Sequence, residues 1–183
     1  LQSPNSQLIK LVLHSTGIND EGVNILGTAI SSTSIKALDL GHNESVSCAG
    51  WQSLINQLSL SQTSIVSLDL SSNKIDDNCL ATLATIGTLK SLNLKGLRRA
   101  TPSGWRSCFN LLRARGSQLV KLNIDISGNN IGNEGAAALG SLLSNMNTLK
   151  SLHMNGMSDS DDEHDNITAQ GWIALFNSLQ GSN

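Results

Sequence analysis

The chain has no tyrosine, and aromatic residues make up only 3% of its 183 residues. A folded core must therefore be filled by aliphatic side chains, mainly stacked Leu and Ile. No apolar run approaches the ~18 residues that a membrane-spanning helix needs, so no membrane partner is expected. An excess of one charge is also missing. The 12 Lys and Arg against 14 Asp and Glu leave a net charge of −2, and no global field draws the chain to nucleic acid. Cys48, Cys79 and Cys108 are odd in number and contain no CxxC pair. They read as reduced, buried thiols in a reducing compartment. The opening Leu-Gln-Ser-Pro shows no signal or transit peptide, and a cytoplasmic location is the expectation. There is no GxSxG elbow and no phosphate-cradling glycine-rich loop. His14, His42, His153 and His164 have no neighbouring Ser or Cys in a hydrolase motif. The expectation is no catalysis, no cofactor, no metal and no small-molecule substrate.

What the chain does have is one phrase, repeated. It reads LDLGHN from Leu38, LDLSSN from Leu68 and IDISGN from Ile124, with degraded copies from Leu11, Leu92 and Leu152. The first residues of the six copies lie 27, 30, 24, 32 and 28 residues apart. A period near 28 carrying LxxLxLxxN is the signature of a leucine-rich repeat.

The physics of one repeat explains the array. In Ile65 to Thr88, the side chains of Ile65, Leu68 and Leu70 fall on one face of an extended segment, because side chains alternate along a strand. Asn73 follows at the turn, where its amide can satisfy open backbone groups. An apolar helical stripe of Leu80, Leu83 and Ile86 comes next. One strand and one helix cannot hide this face alone, so neighbours must stack. The expected fold is an α/β solenoid, a horseshoe with a parallel sheet on the concave face and helices on the convex face. Repeats of this length with a true helix resemble the ribonuclease-inhibitor-like class of leucine-rich repeats. That resemblance runs from Leu8 to Leu179; it specifies the fold and leaves the function open.

The pattern departs from regularity in three ways. Thr16, Leu97 and Met157 stand where the turn Asn is expected. In the fifth repeat Leu119, Leu122, Ile124 and Ile126 offer two registers, and a bulge is expected. The third repeat is only 24 residues long, so its helix should be short.

A longer unit overlies the single repeat. The second, fourth and sixth helices begin Gly50-Trp51, Gly104-Trp105 and Gly171-Trp172, and Val23, Leu80 and Ala136 take the Trp slot in the others. The unit is read as a pair of repeats used three times, with the Trp side chains in the core. Residues 1–183 read as one solenoid segment of about six repeats within a longer array. Leu1 precedes Leu8 as Leu58 precedes Ile65, as if closing an earlier helix, and no polar cap is present.

Candidate binding residues follow from the strand geometry. The residue between the paired aliphatics points out from the concave sheet, and this row reads Val12, Asp39, Asp69, Asn93, Asp125 and His153. Asp39 and Asp69 would lie about one strand spacing apart, ~4.8 Å, where like charges repel. A basic protein partner would relieve that repulsion. The next row reads His14, Gly41, Ser71, Lys95, Ser127 and Asn155. Two loops stand out. One carries Lys95, Arg98 and Arg99 ahead of Thr101-Pro102. The other, from Asp159 to Asp165, is acidic. Its spacing of acids suggests a calcium loop, but the Gly and Glu that such a loop needs are absent. Ser158 and Ser160 are candidates for phosphorylation. Of two glycosylation sequons, that at Asn43 uses a turn Asn expected to be buried.

The leading functional reading is a non-enzymatic scaffold that binds a protein through Asp39, Asp69, Asn93, Lys95, Asp125, His153, Arg98 and Arg99. Two others compete. A regulator of a small GTPase would use Asn93, Lys95, Arg98 or Arg99. A sensor or substrate-receptor segment of an immune or ubiquitin-ligase protein would carry further domains.

Overall fold

A computed structural model of the chain describes residues 7–60, 63–125, 127–155 and 167–180. Six short strands alternate with six helices. The strands are β1 (Lys10–Val12), β2 (Ala37–Asp39), β3 (Ser67–Asp69), β4 (Ser91–Leu94), β5 (Lys121–Asp125) and β6 (Ser151–Asn155). The helices are α1 (Asp20–Ile30), α2 (Cys48–Leu60), α3 (Asp77–Leu83), α4 (Pro102–Ala114), α5 (Gly132–Leu143) and α6 (Ala169–Gln180). The strands form one parallel sheet in sequence order. Consecutive parallel neighbours, each joined by a helix, are what an α/β solenoid requires. The expected fold is the observed one. As its length implies, the third repeat has the shortest helix, of 7 residues. Among the described residues no helix is long and apolar enough to cross a membrane.

The core is a stack of aliphatic layers. Leu38 and Leu40, Leu68 and Leu70, Leu92 and Leu94, and Leu122 and Ile124 are buried behind the sheet. Helical residues such as Leu54, Leu83, Leu112 and Leu139 close it from the convex side. Trp51 and Trp105 are fully buried at the fourth residue of their helices. Trp172 is half-buried and stacks on Phe176, with ring centroids 5.5 Å apart. The Trp105 indole Nε1 donates to the Asn129 carbonyl at 2.6 Å, whereas the buried Nε1 of Trp51 has no partner among the described residues.

The fifth repeat resolves its two registers in favour of Leu122. That residue pairs with Leu92 on one side and Leu152 on the other. The reason lies three residues upstream. Leu119 is then buried in the layer of Ile65; starting the phrase at Ile124 would put the charged Lys121 there. The expected bulge is absent from the paired stretch, since Lys121 through Asp125 align one-to-one with Ser151 through Asn155. Beyond the strand, Ser127–Asn129 form a 3-10 turn.

Asn43, Asn73 and Asn129 are buried and form the expected ladder. The Asn43 side-chain oxygen accepts from the Thr16 and Gly17 amides of the preceding repeat, and its amide donates to the Leu13 and Leu40 carbonyls. Asn73 accepts from the Asn43 amide at 2.8 Å and donates to the Leu40 and Leu70 carbonyls. Asn129 accepts from the Leu97 amide and donates to the Leu94 carbonyl, each at 2.6 Å. Each rung ties its repeat to the one before. Burial of the Asn43 amide also fits the reading of its sequon as accidental.

A second set of bonds explains the two-repeat unit. The Asp20 carboxylate accepts from the amide and hydroxyl of Ser47, both at 2.7 Å. Asp77 accepts from the amide and hydroxyl of Thr101, at 2.8 and 2.6 Å. Asn133 accepts from the Thr168 amide at 2.8 Å. In each case the first turn of an odd helix clamps the residue that opens the next, even helix. Gly50, Gly104 and Gly171 stand three residues further on, where any Cβ would run into Asp20, Asp77 and Asn133 respectively. The Gly of each Gly-Trp pair is there to make room for the clamp.

Candidate functional site

Two adjoining zones gather the charged residues. The first is the concave row, where Val12, Asp39, Asp69, Asn93, Asn123 and His153 share one register. Asp39 and Asp69 are direct neighbours in it. Each carboxylate is partly satisfied by its own turn. Asp39 accepts from the Gly41 amide at 3.0 Å. Asp69 accepts from the Ser71 amide at 2.9 Å and its hydroxyl at 2.6 Å. The Asn93 amide donates to the other Asp69 oxygen at 2.6 Å. His14 Nδ1 stands 3.4 Å from Asp39. Gly41 makes this approach possible, because a Cβ there would lie 2.7 Å from the same His14 nitrogen. At the far end His153 Nδ1 lies 2.8 Å from the Asn123 side-chain oxygen.

Asp125 does not belong to this row. It is in register with Asn155, one residue past Ile124, as Lys95 is one past Leu94. Asn123 takes the place expected for Asp125, as the Leu122 register dictates. The acidic character of the row is therefore confined to Asp39 and Asp69.

The second zone is a cleft of about 640 Å³ at the carboxyl ends of β2, β3 and β4, with His42, Lys74, Lys95, Arg98 and Arg99 among its lining residues. The turns that build it are locked. Ser72 and Gly96 take left-handed backbone conformations with φ of 55° and 67°, and the Ser72 amide donates to the Lys95 carbonyl at 2.7 Å. Lys74 and Arg98 follow the ladder positions Asn73 and Leu97, so the ladder fixes where both side chains leave the turn. Arg99 reaches back to helix α2, where its Nη1 lies 4.0 Å from Cys48 Sγ. Ser71 lines the cleft and bonds Asp69, which joins the two zones.

The structure thus brings Lys95, Arg98 and Arg99 together, and joins Asp39, Asp69 and Asn93. His153 stands apart on the exposed end of the row. Sequence reasoning missed Lys74 and His42. Their signal is positional: the residue after the turn Asn and the residue before it, counted across repeats rather than along the chain. The acidic segment from Asp159 to Asp165 lies outside the described residues.

The thiols differ by position. Burial pushes the Cys79 and Cys108 thiols up to about 12, so both are neutral at physiological pH. Cys48 is half-exposed beside the cleft, and its thiol donates to the Lys74 carbonyl at 3.2 Å. Among the described residues, no group of three His, Cys, Asp or Glu is placed to hold a metal ion.

Comparison with known proteins agrees with the repeat reading. The Leucine Rich repeat family matches residues 61–84 and 121–140. No curated protein sequence matches the chain. Among solved structures, one described as leiomodin-1 actin-binding site 2 is similar over 96% of this chain and 81% of its own, at 16% identity and a TM-score of 0.50. The tropomodulin C-terminal domain of Caenorhabditis elegans is similar over 96% of this chain and 84% of its own, at 13% identity and a TM-score of 0.52. At such identities the likeness is one of fold. The motif, the sheet and the family match agree: the chain is a leucine-rich repeat protein, and its helix in every repeat is consistent with the ribonuclease-inhibitor-like class.

Proposed function

We propose that this chain is a non-enzymatic scaffold that binds a protein partner through its concave face and the adjoining loop edge. The observation that supports this most is the continuity of two oppositely charged zones on one surface. The Asp39–Asp69 pair sits beside a cleft rich in cations, and Ser71 touches both. Among the described residues, no Lys or Arg forms an ion pair with Asp39 or Asp69. A basic surface on the partner would supply the missing charge at the Asp pair, with Asn93 and His153 extending the contact along the row. Lys95, Arg98 and Arg99 would engage the same partner at the edge, with Asp125 at the neighbouring register position. In this reading the chain works in the cytoplasm, where its three thiols stay reduced.

One fold relative is described as an actin-binding site of leiomodin-1, which makes actin the first partner to try. The test measures association rates at two salt concentrations, first with actin and then with proteins recovered on the immobilised chain. The variants are Asp39→Asn with Asp69→Asn, and Lys95→Gln with Arg98→Gln and Arg99→Gln. Removing exposed charges that steer a partner should slow association and flatten its salt dependence, since such steering is screened over ~8–10 Å. A partner that binds all forms alike would place its site elsewhere, and failure to find any partner sensitive to either variant would overturn the reading.

A further inference from the structure

We propose that the cleft formed by His42, Lys74, Lys95, Arg98 and Arg99 is an anion-recognition pocket for a phosphorylated or acidic peptide segment. This rests on the reading of the chain as a protein-binding scaffold and names what one part of it recognises. Lys74, Lys95, Arg98 and Arg99 converge on one cleft from two adjacent turns. None of the four makes an ion pair among the described residues, and Glu44, which also lines the cleft, is joined to none of them. Among the described residues no direct ion pair offsets their mutual repulsion, and an anion placed among them would relieve it.

Geometry adds to charge. The cations rise from turns held by the asparagine ladder and by the Ser72–Lys95 backbone bond. Little backbone freedom is then lost on binding, which favours affinity. Two Arg and two Lys suit a ligand with several anionic oxygens, since guanidinium pairs with phosphate or carboxylate in a bidentate fashion. A volume of about 640 Å³ admits a charged side chain with the backbone that carries it. Clusters of Arg are a recurrent way to read phosphorylated or acidic segments. A nucleic acid fits less well, because single strands are bound by aromatic stacking as well as charge. The described Trp residues serve the core, with Trp51 and Trp105 fully buried, and the chain has no Tyr.

The test titrates the isotope-labelled 183-residue chain with three short peptides of one sequence, carrying two phosphoserines, two glutamates or two serines. Amide shifts in the NMR spectrum report where each binds. Saturable shifts confined to the turns around Lys74, Lys95 and Arg98 are expected from the phosphorylated peptide, and none from the serine peptide. If the glutamate peptide gives the same shifts, acidic segments are included; if it does not, the source is a phosphorylated residue. Either result supports the pocket. Lys95→Gln with Arg98→Gln and Arg99→Gln should weaken binding about tenfold or more, three charge contacts being lost. Arg113→Gln with Arg115→Gln and Lys150→Gln removes the same charge away from the cleft and should retain it. Equal losses in both variants, shifts spread over all basic surfaces, no binding at all, or tighter binding of an oligothymidylate at these residues would each overturn the proposal. In the partner assay above, the variant Asp39→Asn with Asp69→Asn reads the acidic row apart from the cleft, so failure of the pocket and failure of the scaffold reading are distinguishable.

Discussion

The carboxylate of Asp77 occupies the space that a side chain at Gly104 would need. It is tethered there by two bonds to Thr101. Gly104→Ala should therefore force Asp77 to give up both, at a cost of about 1–3 kcal/mol. Asp77→Ala should cost a similar amount on its own. In the double variant the two costs should not add, because the second change removes what the first displaces. Urea unfolding of the four forms is the measurement; strictly additive costs would refute the clamp.

The ladder predicts an asymmetry between two asparagines. Asn73→Ala takes from the buried Leu70 carbonyl and the Asn43 amide the partner that Asn73 supplies, and leaves the Leu40 carbonyl with one donor, Asn43, in place of two. It should destabilise by about 1–3 kcal/mol. Asn93→Ala, on the half-exposed concave row, should change stability by less than about 0.5 kcal/mol. Denaturant melts of the two variants decide the matter.

Thiol chemistry should rank the cysteines. In the native chain Cys48 should be alkylated first, because it alone is partly exposed. Cys79 and Cys108 should react only on unfolding. Their raised folded values also fix a pH dependence. Stability from keeping them neutral is complete below the unfolded thiol value near 9.0 and is lost as pH rises toward about 12. Mass spectrometry of peptides after timed alkylation reads the order of reaction.

Acid should loosen the first clamp. The Ser47 hydroxyl, and then its amide, hold the Asp20 carboxyl below its ordinary value. A depressed carboxylate contributes stability above its unfolded pKa, which is lost as pH falls through the folded value. Melting temperature followed downward from about pH 6 should therefore fall less steeply in Asp20→Asn than in the parent chain. Identical slopes would show that the clamp contributes nothing electrostatic.

Much of this fold is legible in the sequence because burial imposes a period. Leu38, Leu68 and Leu92 recur where a strand must turn its apolar side inward, and Asn43 and Asn73 recur where a turn opens backbone groups. The fifth repeat was ambiguous because Leu122 and Ile124 both satisfy the alternation. The discriminating residue was Lys121, which one register buries. The clamps escaped because their partners are 24 to 35 residues apart and of ordinary types for helix starts. The cleft was half-seen for a similar reason. Lys95, Arg98 and Arg99 are close along the chain, whereas Lys74 joins them only through the stacking of turns.

The clamps fall on alternate junctions between repeats, and the ladder crosses one of these clamped junctions as well, where Asn43 ties the second repeat to the first. Asn73 and Asn129 join an even repeat to the next odd one. Asp77 and Asn133 join an odd repeat to the next even one, and the ladder Asn is replaced by Leu97 and Met157 in those two even repeats. An array wired this way has a phase. Excising a single repeat would bring together two faces made for different fastenings, with a carboxylate or an amide left facing nothing. Excising two would restore matching faces. The chain can be lengthened or shortened without mismatch only in steps of a pair.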